Sequence, residues 1–392
     1  MTDLAASPYP LVFPVREPTG RWRPASRSGG LPLQLRTSAR ALAGMQKEAV
    51  VAGINTPAWR MVCDEGPYLL GTDLAPFPLA FFCVGMVSGF FTELKALAAK
   101  AGITGKWQLV QDNRYTMEGS ATAGTMRGEA LPVELQLASK DAALLAALEP
   151  LLQDAVAATP AAALLRQATS GRFSLCHNGH DLPTSLPALS QGIDCRAGDF
   201  DGLAPDARIG FPPDVISKIA SAKVQQGVSG GVGTSLTNEQ KRTLHMQGVC
   251  HQRDDGLLEV VVELYSPLGS RFRFLVEPGE DQQSARAPSP AMYLSAGIAF
   301  CFLTQMGRYA HIVRKPLGRY EIVQDSAFGL PGVSAATGVA PVVTPLETAV
   351  SIDSDFGDDH ADMVLRMSEQ TCFLHAACRQ QVSVRLKAPL LA

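Results

Sequence analysis

An α+β fold, built as two tandem copies of one domain, is what the 392 residues predict. Three observations carry the prediction. Residues 289–314 (SPAMYLSAGIAFCFLTQMGRYAHIVR) read as one long helix that is apolar almost all round, and so belongs inside a core. Short alternating stretches such as WQLVQD (107–112) and LPVELQLA (131–138) read as strands. The order of strands, long apolar helix, strands, second helix and strand then occurs twice. Helices gathered on one face of an antiparallel sheet are the expected architecture of each copy.

Composition sets the class. With 46% hydrophobic and 18% charged residues, the chain has the balance of an ordinary globular protein long enough for two or three cores. A net charge of −3 supplies no pull toward nucleic acid or an anionic membrane surface, so neither partner is expected. The start (MTDLAASPYPLVFPVREPTG) lacks the charged and apolar runs of a signal peptide. No apolar run reaches the roughly 18 residues of a spanning segment. Eight scattered cysteines read as reduced thiols rather than a disulfide framework, and the expected location is cytoplasmic.

Residues 1–31, rich in Pro and Arg, read as a surface arm. Arg21, Arg23 and Arg27 around Trp22 are too few cations for a phosphate-binding patch. The first copy spans 32–180. Gln34–Thr37 and Trp59–Val62 are candidate strands, and CDEGPYLLGTDLAPFP (63–78) is dense in turn formers. A long apolar helix opens at Pro78 and closes at Gly102. Asp141–Gln167 reads as a second helix, and Arg172–Leu175 as a short strand. Residues 181–236 are rich in Gly, Pro, Asp and Ser and read as a linker with one short helix. Its QGVSGGVGTS piece lacks the Gly-Lys-Ser/Thr ending of a phosphate loop.

The second copy spans 237–392. Ser289 is placed to cap its long helix and Pro290 to open it. Pro78 and Pro290 stand at an offset of 212 (290 − 78). Leu109-Val110-Gln111-Asp112 recurs as Ile322-Val323-Gln324-Asp325, and Arg166-Gln167 as Arg379-Gln380; Val133–Leu137 matches Val350–Ile352 less closely. Three anchors in one order at nearly constant offset indicate a duplication. Under that mapping, Cys301 corresponds to Gly89 and Cys372 to Thr159. Both thiols stand in one copy and neither in the other, the pattern a paired function would leave.

The second copy resembles the OsmC/Ohr family, the osmotically inducible and organic hydroperoxide resistance proteins. SPAMYLSAGIAFCF is similar to that family's cysteine-bearing helix and TCFLHAAC (371–378) to its second cysteine segment. In the first copy, DEGPYLLGTDLAPFPLAFF (64–82) is similar to the family's turn and helix start. The resemblance implies a two-layer α+β fold that normally forms an intertwined dimer with sites at the interface. Here two copies would form an internal pseudo-dimer, with further homodimerisation left open. It also implies that Cys301 attacks a hydroperoxide and Cys372 resolves the sulfenic acid to a disulfide that a dithiol reductant reopens. No cofactor and no metal is implied. Two departures stand out. The family's Glu after the helix-opening Pro is Ala291 here and Leu79 in the first copy, and its strand Arg has only Arg253, Arg271 and Arg273 as candidates.

His375, one helical turn past Cys372, is a candidate base or proton relay. Cys372, His375 and Cys378 recur every three residues in a pattern a metal could use, yet read as core thiols beside a histidine. Cys176, His177 and His180 read as turn residues, Cys250-His251 as a strand pair near the helix, and Cys63, Cys83 and Cys195 as structural. Two functions follow: a thiol oxidoreductase acting on organic hydroperoxides or related electrophiles, or an enzyme or binder of changed chemistry. The second would hold an apolar or aromatic small molecule in the space that Gly89 and Thr159 leave between the copies.

Overall fold

Two 23-residue helices, α1 (Pro78–Lys100) and α5 (Pro290–Ile312), pack against each other at the centre of the molecule. The computed structural model describes residues 3–16, 20–24, 30–54, 56–190, 192–221, 240–280 and 285–392. Both helices open with Pro at the first helical position, and Ser289 caps α5 by accepting a hydrogen bond from the Met292 N–H at 3.4 Å. Their contact depends on one glycine from each. A Cβ on Gly85 would stand 2.5 Å from the Pro290 carbonyl oxygen, and one on Gly297 would stand 2.7 Å from the Phe82 nitrogen. The two glycines hold the same place in their helices, seven residues after the opening proline.

The strands are shared between the halves. Residues before α1 form β1 (Val12–Val15), β2 (Leu33–Ala41), β3 (Lys47–Gly53) and β4 (Ala58–Cys63). After it come β5 (Gln108–Gly119), β6 (Arg127–Ala130), β7 (Val133–Ser139), α2 (Ala142–Leu148), α3 (Leu152–Ala157), α4 (Pro160–Gln167), β8 (Arg172–His177) and β9 (His180–Leu182). The second half supplies β10 (Ile216–Ala220), β11 (Gln240–Gln252), β12 (Leu258–Ser266) and β13 (Arg271–Val276) before α5. After α5 come β14 (Arg319–Phe328), β15 (Glu347–Asp353), α6 (Asp358–Thr371), α7 (Phe373–Arg379) and β16 (Val384–Leu391).

One sheet runs β1-β4-β3-β2-β14-β15-β8-β9, the other β10-β13-β12-β11-β5-β7-β16 with β6 beside β5. Each therefore joins the early strands of one half to the late strands of the other. The central helices are exchanged in the same sense: α5 packs on β2, β3 and β14, and α1 on β11, β12 and β5. The result is sheet, helix, helix, sheet, which explains why neither helix shows a polar face.

The repeated Val-Gln-Asp motif sits on the exchange seam. Asp112 pairs with His245 of β11 at 2.6 Å, and Asp325 with Arg36 of β2 at 2.7 Å. The glutamines turn inward: Gln111 Nε2 donates to Cys83 Sγ at 3.5 Å, and Gln324 Nε2 donates to the Ser295 carbonyl at 3.4 Å.

Several expectations change. The sheets are mixed rather than antiparallel, because β8 runs parallel to β15 and β16 parallel to β7. Each of these strands follows the helices after β7 or β15 and crosses to the other sheet. The helix expected over 141–167 is three, interrupted around Pro150 and Pro160, where Thr159 caps α4. The N-terminal arm contributes β1, whose residues are all buried. Linker residues 193–211 lie over the outer face of the first sheet, where Ala197 and Phe200 pack with Phe13, Val15, Trp22, Val50 and Val323. No helix occurs among the described residues of 181–221. The Gly-rich piece, residues 226–235, lies outside the described residues, as does Arg27. By length and composition α1 does reach what a membrane span needs; it is largely buried within the protein.

Candidate functional site

Cys301 lies midway along α5, and its thiol is close enough to that of Cys372, at the break between α6 and α7, for each to perturb the other. The break arises because Cys372 is extended (φ −69°, ψ 116°) and acts as the N-terminal cap of α7. Its Sγ accepts from the His375 N–H at 3.5 Å and lies 3.3 Å from His375 Nδ1. Both cysteines are almost fully buried.

The pair is electrostatically uneven. Burial pushes the Cys301 thiol well up, and the adjacent Cys372 sulfur adds to the rise. Burial opposes charge on Cys372 as well. There the neighbouring Cys301 and His375 outweigh it, and hold Cys372 well below the ordinary thiol range. His375 is held by aromatic packing: its ring centroid is 4.8 Å from Phe302 and 5.8 Å from Phe173, a residue of the other half. Its Nε2 is buried with no hydrogen-bond partner.

Cys301, not Cys372, faces open space. A small cavity of about 30 Å³ is lined by Cys301, Thr304, Gln305, Glu65, Phe77 and Phe373, among others. Glu65 was not singled out from the sequence. It accepts the Tyr68 hydroxyl at 2.9 Å and the Thr304 hydroxyl at 3.0 Å. Burial raises its pKa, while Lys47 draws it partly back. The turn-rich stretch 63–78 positions it. Asp64 gathers that loop by accepting from Thr72 N–H (3.1 Å), Thr72 Oγ1 (2.7 Å) and Leu74 N–H (3.0 Å). Gly71 passes so near that a Cβ there would lie 1.8 Å from the Glu65 carbonyl oxygen.

The positions that the sequence offset pairs with Cys301 and Cys372 are Gly89 and Thr159 of the first half. A Cβ on Gly89 would stand 3.8 Å from Thr159 Cγ2, so the two meet as the cysteines do. The space beside them is only about 10 Å³, room for about one water molecule, so it is no pocket for a metabolite without repacking. Glu280 borders it, its carboxyl pushed up to about 7, chiefly by burial.

The remaining candidates fall elsewhere. Arg253, Arg271 and Arg273 pair with Asp255, Glu263 and Asp214 and do not line the Cys301 cavity. Arg21 pairs with Asp194 at 3.1 Å, and Arg23 donates to the Thr56 carbonyl at 2.9 Å. Cys250 lies near Cys83 of α1 rather than Cys301. Cys176 lies close to Cys195 of the linker. Cys378 is buried, which drives its pKa up, and among the described residues it completes no metal-ligand group with Cys372 and His375. The Arg308 side chain, two turns past Cys301, contacts Gln305 Oε1 at 3.3 Å.

The thiol pair, His375 and Glu65 thus form one enclosed site whose walls come from both halves. Compared with known proteins, the chain matches no family model, no curated protein and no solved structure.

Proposed function

We propose that the protein is a thiol-dependent peroxidase of the OsmC/Ohr type, which reduces organic hydroperoxides through Cys301 and Cys372. The observation that carries this reading is the buried pair of interacting thiols, with His375 on one sulfur and a small apolar-walled cavity on the other. The shared strands and paired helices of the two halves also suit the intertwined arrangement that the resemblance implies.

In this mechanism the Cys372 thiolate takes the proton of Cys301 as the Cys301 sulfur attacks the distal peroxide oxygen. The S–O bond forms, the O–O bond breaks, and the departing alkoxide takes that proton back through Cys372 and leaves as the alcohol. Cys372, again a thiolate, attacks the Cys301 sulfenic acid. With one proton from solvent, water leaves and the disulfide forms; a dithiol reductant then returns both thiols. An apolar substrate suits the walls, which include Leu69, Phe77, Leu79, Leu244 and Leu264. Leu69 also lines a groove of about 480 Å³ at the surface, with room for an alkyl tail.

Trapping of sulfenic acid with dimedone tests the assignment. Cys372→Ser should accumulate the adduct on Cys301 after cumene hydroperoxide, whereas Cys301→Ser should form none. Labelling of Cys372 in Cys301→Ser at the rate of the unmodified protein would reverse the roles. No labelling in either variant would leave a non-redox binding protein as the better reading.

A further inference from the structure

We propose that His177, His180 and Asp358 form a binding site for a divalent transition-metal ion of the zinc class, at the edge of the first sheet. His177 ends β8 and His180 opens β9, and the two are register partners across a two-residue turn. Asn178 and Gly179 in that turn are both left-handed (φ 49° and 85°), which brings the two imidazoles to a centroid separation of 6.0 Å. Asp358, the first residue of α6, completes the group from the other half. Its Oδ1 lies 2.6 Å from His177 Nδ1 and 3.4 Å from His180 Nε2, and one ligand atom from each residue falls within 4.8 Å of the others.

Ligand atoms around a tetrahedral zinc stand roughly 3.3 Å apart, given bonds of about 2.0–2.1 Å. The group needs only a small adjustment to reach that, with the His177–Asp358 contact opening as the ion enters between them. Two nitrogens and one carboxylate oxygen favour zinc, cobalt or nickel over calcium or magnesium. The surroundings are built to aim the ligands. His177 Nε2 contacts Ser354 Oγ at 3.1 Å. Ser354 is itself fixed by two 3.0 Å hydrogen bonds with Asn178, its N–H donating to Oδ1 and its carbonyl accepting from Nδ2. Such support on the non-ligating nitrogen is what orients a metal-binding imidazole. Exposure is graded: the His177 side chain is 2% exposed, against 56% for His180 and 54% for Asp358. One anchor is rigid and the outer face is open for water as the fourth ligand. None of the three lines the Cys301 cavity. The ion would tie the β8–β9 hairpin to α6, where the parallel β15–β8 pairing joins the two halves.

The test is titration of the full-length, chelator-treated protein with Co²⁺, then displacement by Zn²⁺. One Co²⁺ per chain should bind, with visible d–d absorption and no sulfur-to-cobalt charge-transfer band. His180→Ala and Asp358→Asn, both changes at exposed side chains, should each weaken binding at least about tenfold with the circular dichroism unchanged. Absence of a Co²⁺ spectrum, a spectrum dominated by sulfur charge transfer, or an affinity unchanged from the unmodified protein in both variants would overturn the proposal.

Discussion

His375 Nδ1 lies 3.3 Å from Cys372 Sγ, and this contact helps lower the pKa of the sulfur that does not line the cavity. On the proposed function, Cys301 reacts through its neighbour rather than by its own acidity. His375→Phe keeps a ring packed on Phe302 but removes the nitrogen. The pH at which hydroperoxide consumption is half-maximal should rise by at least about one unit, and the rate at neutral pH should fall at least about tenfold. Stopped-flow rates across pH check it; an unchanged midpoint would make His375 a packing residue.

The glycine crossing makes a prediction about stability alone. Gly297→Val sets a side chain against the Phe82 backbone, which cannot retreat as a side-chain tip would. It should lower unfolding free energy by about 1–3 kcal/mol or more, and Gly85→Val likewise. Gly210→Ala, where an added Cβ meets nothing within 4 Å, is the control and should be nearly neutral. Urea denaturation at constant m-value distinguishes them.

Burial lifts Glu280 from an ordinary value of 4.5 to about 7. The folded state therefore holds a proton that the unfolded chain has released between those values. The stability present below pH 4.5 should decline as pH rises through the window, and the loss should be complete above about 7. The linked change is up to about 3 kcal/mol. Glu280→Gln should flatten the profile between pH 5 and 8; an unaltered slope in thermal melts would contradict the assignment.

Leu69 stands on the wall shared by the Cys301 cavity and the surface groove. Leu69→Ala should raise kcat/KM for cumene hydroperoxide relative to hydrogen peroxide, and Leu69→Trp should lower that ratio. If the ratio moves with neither change, the substrate reaches Cys301 by another route.

Much of this site was legible in the sequence, for definable reasons. Pro78 and Pro290 mark their helices because proline is tolerated at a first helical position, and the apolar run after each signals burial on all sides. The offset that paired Cys301 with Gly89 and Cys372 with Thr159 is matched in space, since Gly89 and Thr159 adjoin. Glu65 was hidden because a carboxylate inside a turn-forming stretch reads as a solvated loop residue; only the Asp64 hydrogen bonds turn it inward. The exchange of strands was equally hidden, since alternation records which face of a strand is buried and not which strand lies beside it. His177 and His180 read as turn residues, and their partner Asp358 lies 181 positions from His177.

The most direct test is peptide mapping of disulfides after one equivalent of cumene hydroperoxide, with free thiols counted before and after. The account predicts that two of the eight thiols are lost, that the bridge joins Cys301 to Cys372, and that Cys301→Ser abolishes the loss. A bridge between Cys176 and Cys195 instead, or no thiol loss at all, would contradict it.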